Sequence, residues 1–165
     1  MFSSYIIINS CPSASLDYII EPWFLGPGAE SPGGPEFNEW ADSIKSKHET
    51  NFLSSVDDLP QAESKPRVAL ISGRTTDNPR LLTECIAKGC KCIYLEKPGA
   101  PTVKELQQMK DEADKAGIEV LMGYNKVIRG FIDVIIYGHF IIPYVSTTLH
   151  LPFSLECVQV CSQNT

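Results

Sequence analysis

The sequence predicts an α/β protein: a parallel sheet with helices on both faces and irregular ends. Three observations carry this. Arg67–Ser72 (RVALIS), Cys90–Leu95 (CKCIYL) and Ile118–Met122 (IEVLM) are short β-rich runs. Two segments of helical period lie between them. Strand, helix, strand, helix and strand at these lengths make two successive βαβ units, and such units form a parallel sheet with right-handed crossovers.

The first helix falls between Thr75 and Gly89. Asn78 is its expected cap and Pro79 suits the first helical position. Leu81, Leu82, Cys85 and Ile86 recur at helical spacing, Lys88 suits the last turn, and Gly89 stops the helix. The second strand runs into Glu96-Lys97-Pro98, where Pro98 ends regular pairing. Thr102-Val103-Lys104-Glu105 then reads as a capping box, with Glu105 expected to reach back to the N-cap amide. Val103, Leu106, Met109, Ala113 and Ala116 form the expected buried stripe, and Gly117 closes the helix.

Upstream, Leu16–Ile20 and Asn51–Ser54 read as further strands. Between them Phe37, Trp40, Ala41 and Ile44 give a helical face that Pro35 can open. The expectation is about five parallel strands. The linker Gly26–Pro35 (GPGAESPGGP) reads as a surface loop. It is a poor phosphate cradle, because its prolines lack N–H donors and Ser31 stands where Gly-x-Gly-x-x-Gly needs its last glycine.

A chain of 165 residues, 43% hydrophobic and 21% charged, suits about one globular domain. The net charge of −6 argues against a nucleic-acid partner, which calls for a basic face. It leaves a nucleotide cofactor open, because backbone N–H groups and helix N-termini hold phosphates. The six cysteines form no Cys-x-x-Cys pair and read as small buried hydrophobes in a reducing compartment rather than as a metal or redox site. His48, His139 and His150 complete no ligand spacing. The first positive charge is Lys45, so no targeting segment is recognised. The apolar run Phe131–Tyr144 is too broken to span a bilayer. A cytoplasmic protein with no membrane partner is expected.

In open parallel sheets ligands bind beyond the carboxyl ends of the strands. That places the expected chemistry on three loops: Ser72–Thr76, Glu96–Pro98 and Gly123–Lys126. A lysine at such a position can give or take a proton and hydrogen-bond a substrate oxygen.

Three features in order, Tyr94-Leu95-Glu96-Lys97-Pro98, the helix Thr102–Gly117 and Met122-Gly123-Tyr124-Asn125-Lys126, resemble the nucleotide-binding domain of the Gfo/Idh/MocA family of NAD(P)-dependent oxidoreductases. The resemblance implies a partial Rossmann-like domain over residues 15–126, with 1–14 and 127–165 unassigned. It implies Lys97 as the catalytic residue, between the nicotinamide and the hydroxyl of a sugar or polyol. Glu96 and Pro98 would contact the cofactor, and Tyr124 and Asn125 would line its pocket. Ser72, Gly73, Arg74 and Thr75 would face the adenosine half. Glu21 matches the acidic position that binds the adenosine ribose, which favours NAD over NADP. A cis Lys97–Pro98 bond is common in the family.

There are departures. Gly73–Pro79 replaces the family's Thr-Pro-Asn-x-x-His. No glycine-rich turn follows a first strand: Tyr5–Ile8 could be one, but Asn9–Ser15 is too short for a helical crossover to Leu16. The segment Val127–Thr165, with three charged residues, resembles nothing in the family and is expected to pack loosely. These departures lead to the expectation of an incomplete domain of low activity; the alternative is a catalytically inactive nucleotide-binding or interaction module.

Overall fold

A computed structural model describes residues 14–123 and 155–161. The elements in chain order are β1 (Ala14–Ile20), α1 (Gly34–His48), β2 (Asn51–Leu53), a 3-10 turn (Val56–Asp58), β3 (Arg67–Ser72), α2 (Asn78–Ala87), β4 (Cys90–Glu96), α3 (Val103–Ala116), β5 (Glu119–Gly123) and β6 (Leu155–Cys161). The strands form one six-stranded sheet in the order β2-β1-β6-β3-β4-β5. Every pairing is parallel.

Two layers flank the sheet. On one face α2 and α3 cover Ala69, Ile71, Ile93, Leu95, Val158 and Val160, all buried. On the other, α1 sets Ile44 against Leu16 and Ile19, with Trp40 and Phe52 beside them. Phe37 stacks on Phe24 at 4.9 Å between ring centroids and meets Phe52 edge-on at 6.0 Å.

The main difference from the sequence reading is β6. The segment 127–165 was expected to pack loosely, yet Leu155–Cys161 lies at the centre of the sheet between β1 and β3. Val158 and Val160 are fully buried, and Cys157 and Cys161 nearly so. Counting β6 first turns the spatial order into 3-2-1-4-5-6, the usual dinucleotide-binding arrangement. The C-terminal strand therefore stands where a first strand would. Without it, β1 and β3 would present unpaired backbone groups inside the protein. Tyr5–Ile8, the other candidate, lies outside the described residues.

An ion pair fixes the register of β6. Arg67 Nε and Nη2 hold Glu156 at 2.9 and 3.1 Å. Arg67 Nη1 donates to the carbonyls of Pro60 (2.6 Å) and Lys88 (3.1 Å). The guanidinium also lies 5.6 Å from the Tyr18 ring. A buried charge persists only when paired and hydrogen-bonded in this way.

Smaller differences concern helix ends. Asp77, not Asn78, occupies the N-cap of α2, with no side-chain cap bond. Asn78 is buried and turned across to another loop. Thr102 Oγ1 accepts from the Glu105 amide at 3.2 Å as expected. The Glu105 carboxylate, however, accepts from the Thr102 hydroxyl rather than from its amide. Val103 is 85% exposed, because the buried residues of α3 are Met109 and Ala113, further along the helix.

The Gly26–Pro35 stretch is consumed by its own turns. The amides of Gly26 and Gly28 donate to the Trp23 carbonyl, and that of Ser31 to Gly28. A Cβ on Gly28 would collide with the Trp23 indole at 2.1 Å. Gly28 thus makes room for an aromatic ring, and the amides of Gly26 and Gly28 are spent within the turn.

Candidate active site at the carboxyl ends of the strands

Register aligns the strand ends. Ser72 pairs with Cys161, Ile71 with Leu95, and Glu96 with Gly123. Ile20 pairs with Val160, which brings Glu21 level with Cys161. Glu21, Ser72, Glu96 and Lys97 thus lie along one edge of the sheet. Tyr124 and Asn125 lie outside the described residues.

Lys97 follows β4 directly and is exposed, and the Lys97–Pro98 bond is cis. Pro98 is also exposed, yet its carbonyl accepts from Asn78 Nδ2 at 3.2 Å. This bond ties the lysine loop to the start of α2. Among the described residues Asn78 Oδ1 is buried with no hydrogen-bond partner. Sequence reasoning saw Asn78 only as a cap; its spacing gave no sign of the cross-loop contact.

Glu96 is half-buried and shares a sheet face with Tyr94, two residues earlier. Burial, then the Glu96 charge and a hydrogen bond to it, push the Tyr94 hydroxyl above its ordinary pKa. Gly123 makes this possible, since a Cβ there would sit 2.1 Å from Tyr94 Oη. Tyr94 was not singled out from sequence, although the two-residue strand period places it on the face of Glu96.

Glu21 stands where the acidic position was expected but is only 2% exposed. Its Oε1 accepts from the Trp23 amide at 3.1 Å and the Phe24 amide at 3.4 Å. Cys161 lies against it. Burial first, and the Glu21 charge second, push that thiol up to about 12. Ser72 Oγ donates to the Val160 carbonyl at 3.4 Å, and Arg74 Nε holds Asp77 at 3.1 Å. Gly73 and Thr75 are half-buried beside them.

A cleft of about 320 Å³ opens at this edge, lined among others by Pro22, Ser54, Ser55, Arg74, Asp77 and Arg80. Guanidinium groups and hydroxyls are donors suited to a phosphorylated nucleotide. The residues present therefore fit the adenosine end of a dinucleotide. A larger groove of about 470 Å³ lies between α3 and the β4–β5 side, lined mainly by aliphatic side chains such as Leu106, Val120 and Met122. It lacks that donor set. Among the described residues no group of His, Cys, Asp and Glu could hold a metal. Nor is any helix of theirs long and apolar enough to cross a membrane.

No curated protein matches the chain. The fold is shared with solved structures. A candidate oxidoreductase from Klebsiella pneumoniae aligns with TM-score 0.55 at 13% identity, over 85% of this chain and 37% of that one. A candidate oxidoreductase from Bacteroides fragilis aligns with TM-score 0.51 at 14% identity, over 79% of this chain and 35% of that one. The chain thus covers little more than a third of either structure. Residues 31–124 match the family described as "Oxidoreductase family, NAD-binding Rossmann fold". That span contains β3, β4, β5, the helices between them and the Lys97 loop, so the chain belongs to the Gfo/Idh/MocA oxidoreductase family.

Proposed function

We propose that the chain is the nucleotide-binding part of an NAD(P)-dependent oxidoreductase that acts on a sugar or polyol hydroxyl. The observation that carries the reading is the place of Lys97. It follows β4 at the carboxyl edge of the sheet, flanked by the ends of β3 and β5. When bound, the nicotinamide supplies the hydride acceptor. Lys97 manages the proton: its amine takes one from the hydroxyl during oxidation, and its ammonium returns one to the carbonyl oxygen during reduction. Asn78 steadies the loop through Pro98. Glu96 contacts the cofactor near the nicotinamide ribose, and Tyr94 beside it holds the carboxylate in place.

One observation favours a second reading, a module that binds nucleotide without turnover. Lys97 is exposed at the strand end. A working proton-transfer site excludes water.

Calorimetric titration with NAD(H) and NADP(H), with a spectrophotometric screen of sugars and polyols, separates the two. Turnover lost in Lys97→Ala with cofactor binding retained supports the enzyme. Binding without turnover supports the module. No binding at all overturns both.

A further inference from the structure

We propose that Cys85 and Cys90 form a reversible oxidation site, a dithiol that a peroxide converts to a disulfide clamping α2 to β4. The inference goes beyond the cofactor reading and does not rest on it.

The site is built by the turn between helix and strand. Cys85 lies in the last turn of α2, and Cys90 is the first residue of β4. Between them Gly89 takes a φ of 85° and donates to the Ile86 carbonyl, which folds the chain back on itself. The two side chains meet in one buried cluster, at 0% and 1% exposure, and share a hydrogen bond. Spacing alone does not show this, because the pair matches no Cys-x-x-Cys motif. Cys90 also pairs in register with Arg67. The Arg67 guanidinium donates to the carbonyl of Lys88, inside the same turn, at 3.1 Å. A positive charge and a second thiol beside a cysteine are the surroundings of a reactive thiolate.

The two thiols take different parts. The hydrogen bond from Cys85 first, and Arg67 after it, hold the Cys90 thiol below its ordinary pKa against burial and the Glu156 charge. The same bond, then burial, raise that of Cys85. Burial also raises Cys92 and Cys161. Cys90 is therefore the nucleophile and Cys85 the resolving thiol. The Cys90 thiolate attacks one oxygen of hydrogen peroxide: an S–O bond forms, the O–O bond breaks, and the leaving hydroxide takes up the Cys90 proton as water. The Cys85 sulfur then attacks the sulfenic sulfur: S–S forms, S–O breaks, and hydroxide leaves with the Cys85 proton as a second water. Both thiols are oxidised and the peroxide is reduced. Both sulfurs are covered, so the reaction waits on opening of the last turn of α2, whose Ala87 is exposed. The disulfide ties together the two elements that carry Asn78 and the Lys97 loop at their other ends.

The test treats the folded full chain with hydrogen peroxide, blocks the remaining thiols with iodoacetamide, and maps the tryptic peptides of the monomer by mass. The expected product joins Leu81–Lys88 to Gly89–Lys91, lighter than the separate peptides by two hydrogens, and dithiothreitol separates them. Cys85→Ser should leave Cys90 as a sulfenic acid that dimedone labels. Cys90→Ser should slow oxidation of Cys85 by roughly tenfold or more. Circular dichroism confirms that the variants fold, and the map of the unaltered chain decides the proposal without them. A first disulfide between other cysteines, or Cys85 and Cys90 both still alkylated after the other cysteines are oxidised, overturns it.

Discussion

Strands β4 and β6 end at the same edge of one sheet, two positions apart, yet the chain reaches them by opposite routes. β4 sits inside a run of local units: a helix before it, a helix after it, and partners β3 and β5 that are its sequence neighbours. β6 has no described helix beside it in sequence, and it pairs with β1, whose residues lie at the other end of the chain. The run LECVQVC also carries Glu156 and Gln159, which a local reading takes as a half-polar, peripheral strand. Both turn out to be buried or paired: Gln159 is 1% exposed, and Glu156 neutralises Arg67. Local pattern thus identifies a strand, and only its partners across the sheet give it a place.

If β6 is the keystone, breaking its buried ion pair with Arg67 should have the largest effect. Glu156→Ala leaves Arg67 buried and unpaired, and should lower stability by about 3–5 kcal/mol. Chemical denaturation reads this directly. A loss below about 1 kcal/mol would mean that β6 is held by its neighbours' backbones alone.

The alkaline limit tests the other end of β6. Burial holds the Cys161 thiol at about 12, against an ordinary 9.0. The folded state therefore keeps a proton that the unfolded chain gives up. The contribution is intact below pH 9, and it falls as pH rises from 9 through 12, by up to a few kcal/mol on the order of the shift. Cys161→Ala should flatten the stability profile over that window. An unchanged slope would place the titration elsewhere, for example at Tyr94, whose pKa is also raised.

The smallest effect belongs to the locally legible region. Val103 was assigned to the core stripe of α3 but is 85% exposed. Val103→Ala should change stability by no more than about 0.5 kcal/mol, as surface substitutions do. A loss comparable with that of a buried valine would show that the groove under α3 is filled when the protein is in solution.

Much of the candidate site was legible for the same reason that β4 was. A βαβ unit puts the residue after its strand at the ligand edge, so Lys97 and Glu96 could be placed from periodicity and the family motif alone. Glu21 was placed correctly along the chain, but its carboxylate turned inward to cap Trp23 and Phe24, a choice made by a local turn that strand position does not encode. Asn78 was visible only as a helix-start residue, because its partner, the Pro98 carbonyl, belongs to a different loop.

By itself the sequence determined the elements between Arg67 and Gly123, their parallel arrangement and the edge where chemistry belongs. Hydrophobic period, capping residues and crossover handedness are local properties, written within a turn or two of each residue. Only the tertiary structure decided what fills the centre of the sheet and which charges face the cleft. Both depend on pairing between segments far apart in the chain. A seven-residue strand of mixed polarity becomes core when a buried arginine from β3 meets its glutamate and two open strand edges accept its backbone.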